Sequence, residues 1–186
     1  DFEFLHNNGL NKTLGYHLIG VEDMPKAFWG GMLPATPAIK ATLRLIRSGD
    51  RMERWFTAYR ISPASPSWYY TTLTYLIVGM VRLHGHHMPF PQYTPNDNPI
   101  DVAKWASEMI QREGSCFIST TVSKAVRLSL VAQEQGIDLT HLIIQVGGEP
   151  STSAKVKTIE ACGAKQFTQY ASTEAGRIGI PCQNPS

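Results

Sequence analysis

Charge is scarce in this sequence. Asp, Glu, Lys and Arg make up 17% of its 186 residues, and 17 basic against 15 acidic side chains leave a formal net charge of +2. That imbalance is too small for strong electrostatic recognition of nucleic acid or an acidic membrane, and no basic block interleaved with aromatics makes up for it. Cysteine is scarce too: Cys116, Cys162 and Cys182 are an odd number with no close pair, which argues against a disulfide framework and favours a reducing compartment, the cytoplasm. Long apolar runs are missing. Residues 73–83 are interrupted by Thr74, Gly79 and Arg82 and reach about half the ~20 residues a membrane-spanning helix takes, so they read as a buried helix. The chain opens at Asp1 with no basic and apolar signal sequence and closes on turn-like Cys182-Gln183-Asn184-Pro185-Ser186, so a fragment of a longer protein is expected.

What is present is a hydrophobic content of 42% with 15 Gly and 12 Pro, enough for one substantial domain with many turns. Residues 1–35 show little periodicity and read as an irregular or incomplete N-terminal segment; 36–186 read as one α/β domain. Thr36, Pro37 and the spacing of Ile39, Leu43 and Ile46 predict a helix over 37–47. A nearly continuous apolar helix follows over 71–83, and its composition implies burial on more than one side. A short strand is expected over 86–90. Asn98 and Pro99 are expected to open a helix presenting Val102, Trp105, Met109 and Ile110 and stopping at Gly114.

Three strand-helix alternations then follow. Residues 116–119 form a strand, and Val122, Ala125, Val126, Ser129 and Leu130 stripe a helix ended by Gly136. Residues 142–146 form the next strand, Ser151 caps a helix carrying Val156 and Ile159, and 165–170 return as a strand. Parallel strands need crossovers long enough to hold a helix, so this rhythm predicts an α/β fold, a mostly parallel sheet covered by helices.

Two strand edges carry chemistry. At Val146-Gly147-Gly148-Glu149-Pro150-Ser151 an apolar strand meets paired glycines, which let backbone approach a flat ring, while Pro150 restrains the turn. A plain strand-to-helix turn uses the same residues. At Tyr170-Ala171-Ser172-Thr173-Glu174-Ala175-Gly176 the tyrosine suits stacking on a base, Thr173 can donate to phosphate, and Glu174 suits Mg²⁺ beside phosphate oxygens; a polar turn with a structural tyrosine is the alternative. One helix and one strand separate the two, so adjacent parallel strands would carry both to one ligand crevice.

Together, Gly147-Gly148-Glu149-Pro150 and Tyr170 through Gly176 resemble the paired adenylate-binding motifs of the AMP-forming adenylating superfamily, and most closely those of phenylacetate-CoA ligase and related aryl- and acyl-CoA ligases. The resemblance covers about residues 37–180. It implies that the chain is part of the large N-terminal domain of such an enzyme, with Gly147, Gly148, Glu149 and Pro150 against adenine and Tyr170 stacked on it. Thr173 would contact the α-phosphate and Glu174 would hold Mg²⁺, these two being the catalytic candidates. The implied reaction is ATP-dependent activation of an organic, possibly aromatic, carboxylate to an acyl-adenylate, with transfer to CoA in the complete enzyme. Less sharply, Gly49-Asp50-Arg51-Met52 and the stretch from Trp68 to Gly79 resemble the segment before the acyl pocket, and Trp68, Tyr69 or Phe117 can line that pocket or belong to the core. The expected partners are the carboxylate and a second copy in a homodimer, with neither nucleic acid nor membrane.

The resemblance is incomplete. The superfamily's Ser/Thr/Gly-rich phosphate loop and its lysine have no match in Phe28-Trp29-Gly30-Gly31-Met32-Leu33-Pro34-Ala35-Thr36, and two glycines alone make a poor phosphate cradle. The ribose-binding aspartate and the mobile C-terminal domain would fall beyond Ser186. A truncated or catalytically lapsed nucleotide-binding or structural domain is therefore the alternative. His84, His86 and His87 lack the spacing of a closed metal site. Hydrolase chemistry is disfavoured because no G-x-S-x-G elbow occurs, and a nicotinamide oxidoreductase because no G-x-G-x-x-G follows a strand.

Overall fold

The computed structural model of the chain describes residues 20–21, 23–31, 52–60, 68–172 and 176–179, with side chains described as far as Gln169. Six strands form one sheet: β1 (Lys26–Trp29), β2 (Met52–Thr57), β3 (Pro91–Tyr93), β4 (Cys116–Thr121), β5 (Leu142–Gly147) and β6 (Lys165–Thr168). Every pairing is parallel and the spatial order is β3-β2-β1-β4-β5-β6. Four connections carry helices: α1 (Trp68–Leu83), α2 (Ile100–Glu113), α3 (Val122–Glu134) and α4 (Ser153–Glu160). A short antiparallel hairpin, β7 (Tyr170–Ser172) with β8 (Gly176–Gly179), follows the sheet. The α/β class and parallel sheet expected from the alternation are what the chain forms.

The strand order reverses direction at β1, which lies between β2 and β4. Right-handed crossovers then place α1 on one face of the sheet and α2, α3 and α4 on the other, and the core divides accordingly. One cluster joins Trp29, Phe56, Ile118, Leu142, Ile144 and Val146 from the strands to Val102, Trp105, Leu128 and Ile159 from α2, α3 and α4. The other joins Trp55 to Ile77, Val78 and Val81 of α1. Trp55 and Phe56 are sequence neighbours, so the pleat sends them to opposite faces. Each aliphatic side chain fully buried this way contributes about 1.5–3 kcal/mol.

Local signals explain most helix ends. Gly114 closes α2 in the left-handed region, φ 83°, and its N–H donates to Ile110 O at 2.9 Å, a conformation that glycine adopts without a Cβ penalty. At α4 the cap is Thr152, whose hydroxyl accepts from the Lys155 amide, not Ser151. At α2 Pro99 occupies the cap position itself, with no side-chain capping bond, one residue later than expected from Asn98.

Other expectations are corrected. The 86–90 stretch is not a strand; the strand is Pro91–Tyr93, because the left-handed Gly85 (φ 82°) is still ending α1. Helix α1 buries one side only: Leu76, Met80 and Leu83 are 59%, 52% and 86% exposed. On α3 the buried face is Val122, Ala125, Leu128, Ser129 and Ala132, while Leu130 faces out. Ser129 can go inward because its hydroxyl donates to Ala125 O at 3.0 Å, which removes the penalty for burying it. The last parallel strand stops at Thr168, and Tyr170 begins the hairpin instead. Lys26–Trp29, within the aperiodic N-terminal stretch, forms a strand in the middle of the sheet. The helix expected over 37–47 lies outside the described residues.

Candidate functional site

Because all six strands are parallel, their carboxyl ends share one edge, where ligands of open α/β sheets bind. Strand β5 enters this edge at the 147–150 turn. Its neighbour β6 arrives in register, Val146 opposite Thr168, and the Gln169 N–H donates to Val146 O at 2.8 Å. The 147–150 turn and the start of β7 therefore leave the sheet side by side, the adjacency read from the sequence.

The two strand ends are closely fitted. A Cβ on Gly147 would lie 3.2 Å from the Gln169 carbonyl oxygen, whereas one on Gly148 would meet nothing within 4 Å. Gly148 has φ 76°, a value that L side chains resist. Below the turn, the buried Gln145 donates its amide to the Gln169 side-chain oxygen, tying β5 to β6 a second time. The glycine pair thus presents bare peptide planes at an open place between two fixed strands.

Glu149 faces the other way along the edge, toward α3. Its Oε2 accepts from the Ser123 backbone N–H at 3.0 Å and from the Ser123 hydroxyl. Thr121, the cap residue of α3, makes no capping bond of its own, so the free amides at the start of α3 are served by a carboxylate from the next strand. The Ser123 hydroxyl is the main reason the Glu149 carboxyl is held below its ordinary range, with the Ser123 amide, the Thr121 hydroxyl and Lys155 adding to it and partial burial opposing. A negative charge at a helix N-terminus gains from the helix dipole as well. Lys155 also donates to Pro150 O at 3.4 Å. Lys124, the third residue of α3, sits 5.4 Å from the Trp29 ring centre; burial lowers its ammonium pKa while the Glu149 charge works against that.

At the reversal point between β1 and β4 the edge is closed. The Thr120 hydroxyl donates to Trp29 O at 2.9 Å. A Cβ on Gly30 would fall inside the Phe28 ring, and one on Gly31 would touch the Tyr59 ring at 3.4 Å. Two buried polar atoms along the edge, Trp29 Nε1 and Ser151 Oγ, have no hydrogen-bond partner among the described residues.

Of the residues singled out from sequence, Gly147, Gly148, Glu149 and Pro150 stand together at the end of β5. The backbone of Tyr170 opens β7 beside them, and Thr173 and Glu174 lie outside the described residues. Trp68 and Tyr69 are exposed at the head of α1, and Phe117 is buried against Phe167. His84, His86 and His87 are exposed, and among the described residues no group of three or more His, Cys, Asp or Glu is placed to hold a metal ion. Cys116 is buried and its thiol is pushed up to about 12 by that burial, so it is not a nucleophile. Among the described residues no helix is long and apolar enough to cross a membrane. Sequence reading missed Thr121, Ser123 and Lys124. Their signal is a hydroxyl-rich strand end, Thr120-Thr121-Val122-Ser123, running directly into a helix, with no glycine to mark it.

No protein-family model and no curated protein matches the sequence. Among solved structures the chain is similar to wild-type E. coli MenE with a bound m phenylether-linked analogue of OSB-AMS, at 10% identity and a TM-score of 0.34 over all of this chain. The chain spans 58% of the length of that one. At such identity and overlap the likeness carries no argument about function.

Proposed function

We propose that the chain is the nucleotide-binding part of an AMP-forming adenylating enzyme of the aryl- or acyl-CoA ligase kind. The observation that supports this most is the pairing of the two motif-bearing strand ends at one sheet edge, with an open glycine turn between them. In this reading adenine lies on the peptide planes of Gly147 and Gly148 beside Pro150, with Tyr170 as its stacking partner. Thr173 contacts the α-phosphate. The 147–150 backbone fits such a ring, since side chains at either glycine would strain the turn or crowd the neighbouring strand. Mg²⁺, held by Glu174, would neutralise phosphate charge while the carboxylate attacks the α-phosphorus and pyrophosphate leaves. In the complete protein the activated acyl group passes to CoA.

A second reading has its own observation. The Gly30-Gly31 pair, in the stretch matched to the family's phosphate loop, is filled by Phe28 and flanked by Tyr59, leaving no phosphate cradle at that strand end. This favours a domain that binds adenosine nucleotide without turning over. ATP/pyrophosphate exchange by the complete protein, driven in turn by aryl, acyl and amino acids, separates the two. Acid-dependent exchange supports the ligase; AMP binding without exchange supports the lapsed domain.

A further inference from the structure

Three groups of side chains stand outside the motif reading: the exposed face of α1, the rings at the ends of β2 and β3, and the carboxylate contacts at the head of α3. The last is a complete arrangement of named donors and acceptor. We propose that Glu149 is a positioning residue, not a nucleotide contact: its carboxylate clamps the 147–150 turn to the first turn of α3, and thereby holds the glycine peptide planes where a ring can lie on them. The inference rests on the adenylate reading of that turn and deepens it.

The carboxylate is already committed. Oε2 takes both the Ser123 amide and the Ser123 hydroxyl, and the Thr121 hydroxyl contributes too. These residues lie across 26 positions of sequence, on the strand next to β5, so the clamp joins β4 and α3 to the end of β5. The turn needs such a tie. Gly148 sits in the left-handed region with open space around it, and two successive glycines carry the greatest backbone freedom of any residues. Apart from the clamp, the long Lys155–Pro150 contact of 3.4 Å is the other bond that the 149–150 part of the turn makes among the described residues. The charged groups facing Glu149 are Lys155 on α4 and Lys124 on α3, both cationic, so the neutral form of the carboxyl has no support from its surroundings. Ser123 therefore acts on the nucleotide through Glu149, and Glu149 acts through the backbone of Gly147 and Gly148.

The test is AMP binding by calorimetry to the wild-type chain and to the Glu149→Ala, Ser123→Ala, double and Glu149→Gln variants, with the Glu149 carboxyl followed by carbon NMR titration. A clamp predicts that Glu149→Ala weakens AMP by about tenfold, the scale of losing hydrogen bonds to a charged group. Ser123→Ala weakens it in the same direction, the double variant is no weaker than Glu149→Ala alone, and Glu149→Gln, whose amide oxygen still accepts, recovers most of the loss. The carboxyl titrates below its ordinary range in wild type and returns toward it in Ser123→Ala. A loss in Glu149→Ala with Ser123→Ala at wild-type affinity would make Glu149 a direct contact and overturn the proposal, as would additive losses, or full affinity in every variant. If wild type binds no AMP, the adenylate reading falls and the positioning role with it; a low titration midpoint then shows that the clamp itself stands.

Discussion

Two glycine pairs end two strands of one sheet at the same edge, and the chain treats them in opposite ways. At Gly30-Gly31 the missing side chains are replaced by the chain's own rings, Phe28 over the first glycine and Tyr59 beside the second. Phe28 in turn packs edge-on against Trp55, with ring centres 5.9 Å apart. At Gly147-Gly148 no ring intrudes; one glycine lets β6 approach and the other turns the chain through φ 76° into open space. The first pair is glycine for packing, the second for access. A glycine pair after a strand is thus uninformative until its neighbours are known.

The largest expected effect comes from filling the open pair. Gly147→Val adds a branched side chain whose Cβ already lies 3.2 Å from a backbone oxygen of β6; overpacking of about 1–3 kcal/mol should spread the two strand ends and weaken AMP, measured by calorimetry, about tenfold or more. Gly31→Val, at the closed pair, should leave affinity at the wild-type value. If both lose binding equally, the contrast between the pairs is wrong.

Next in size is Gly148. Val at φ 76° carries strain of about 1–2 kcal/mol, whereas Asn tolerates that region, so thermal melts should rank wild type and Gly148→Asn above Gly148→Val. Equal melting of all three would mean that the turn relaxes out of the left-handed region. Smaller still is Gly30→Ala. Its Cβ must push the Phe28 ring aside and disturb the edge contact with Trp55, worth about 0.5–1.5 kcal/mol. Melting temperature should fall while AMP affinity stays unchanged, which a phosphate-contacting glycine would not allow.

The smallest effect is one of pH. The folded-state pKa of Glu149 is depressed, so its contribution is fully present above the ordinary value of 4.5 and is lost as pH falls through the folded value. The melting-temperature advantage of wild type over Glu149→Gln should therefore be larger at pH 7 than at pH 3.5. Asp138 is also depressed, by Thr140, and is common to both proteins, so the difference isolates Glu149. An advantage that does not shrink in acid would contradict the clamp.

Legibility from sequence followed how much period each segment carries. From α2 onward, helices of 14 and 13 residues alternate with six-residue strands, long enough for spacing to show, and the parallel sheet could be read from them. Strand β1, Lys-Ala-Phe-Trp, has four residues and no alternation to detect; its place in the sheet is set by pairing with β2 and β4, which no local pattern encodes. On α3 the choice of Leu128 over Leu130 as the buried leucine depends on small Ala125, Ser129 and Ala132 lining the same face, a packing matter rather than a hydrophobic one. At the site, the motif turn was legible because glycine and proline constrain backbone locally. The Glu149–Ser123 contact was not, because an acceptor and donors 26 positions apart meet only through the sheet register.

The most direct test of the open-pair account is an amide chemical-shift titration of the wild-type chain with AMP. The account predicts that the Gly147, Gly148, Gln169 and Tyr170 amides move together with one dissociation constant while those of Gly30 and Gly31 stay in place. Movement centred on Gly30 and Gly31, or no movement at saturating AMP, would contradict it.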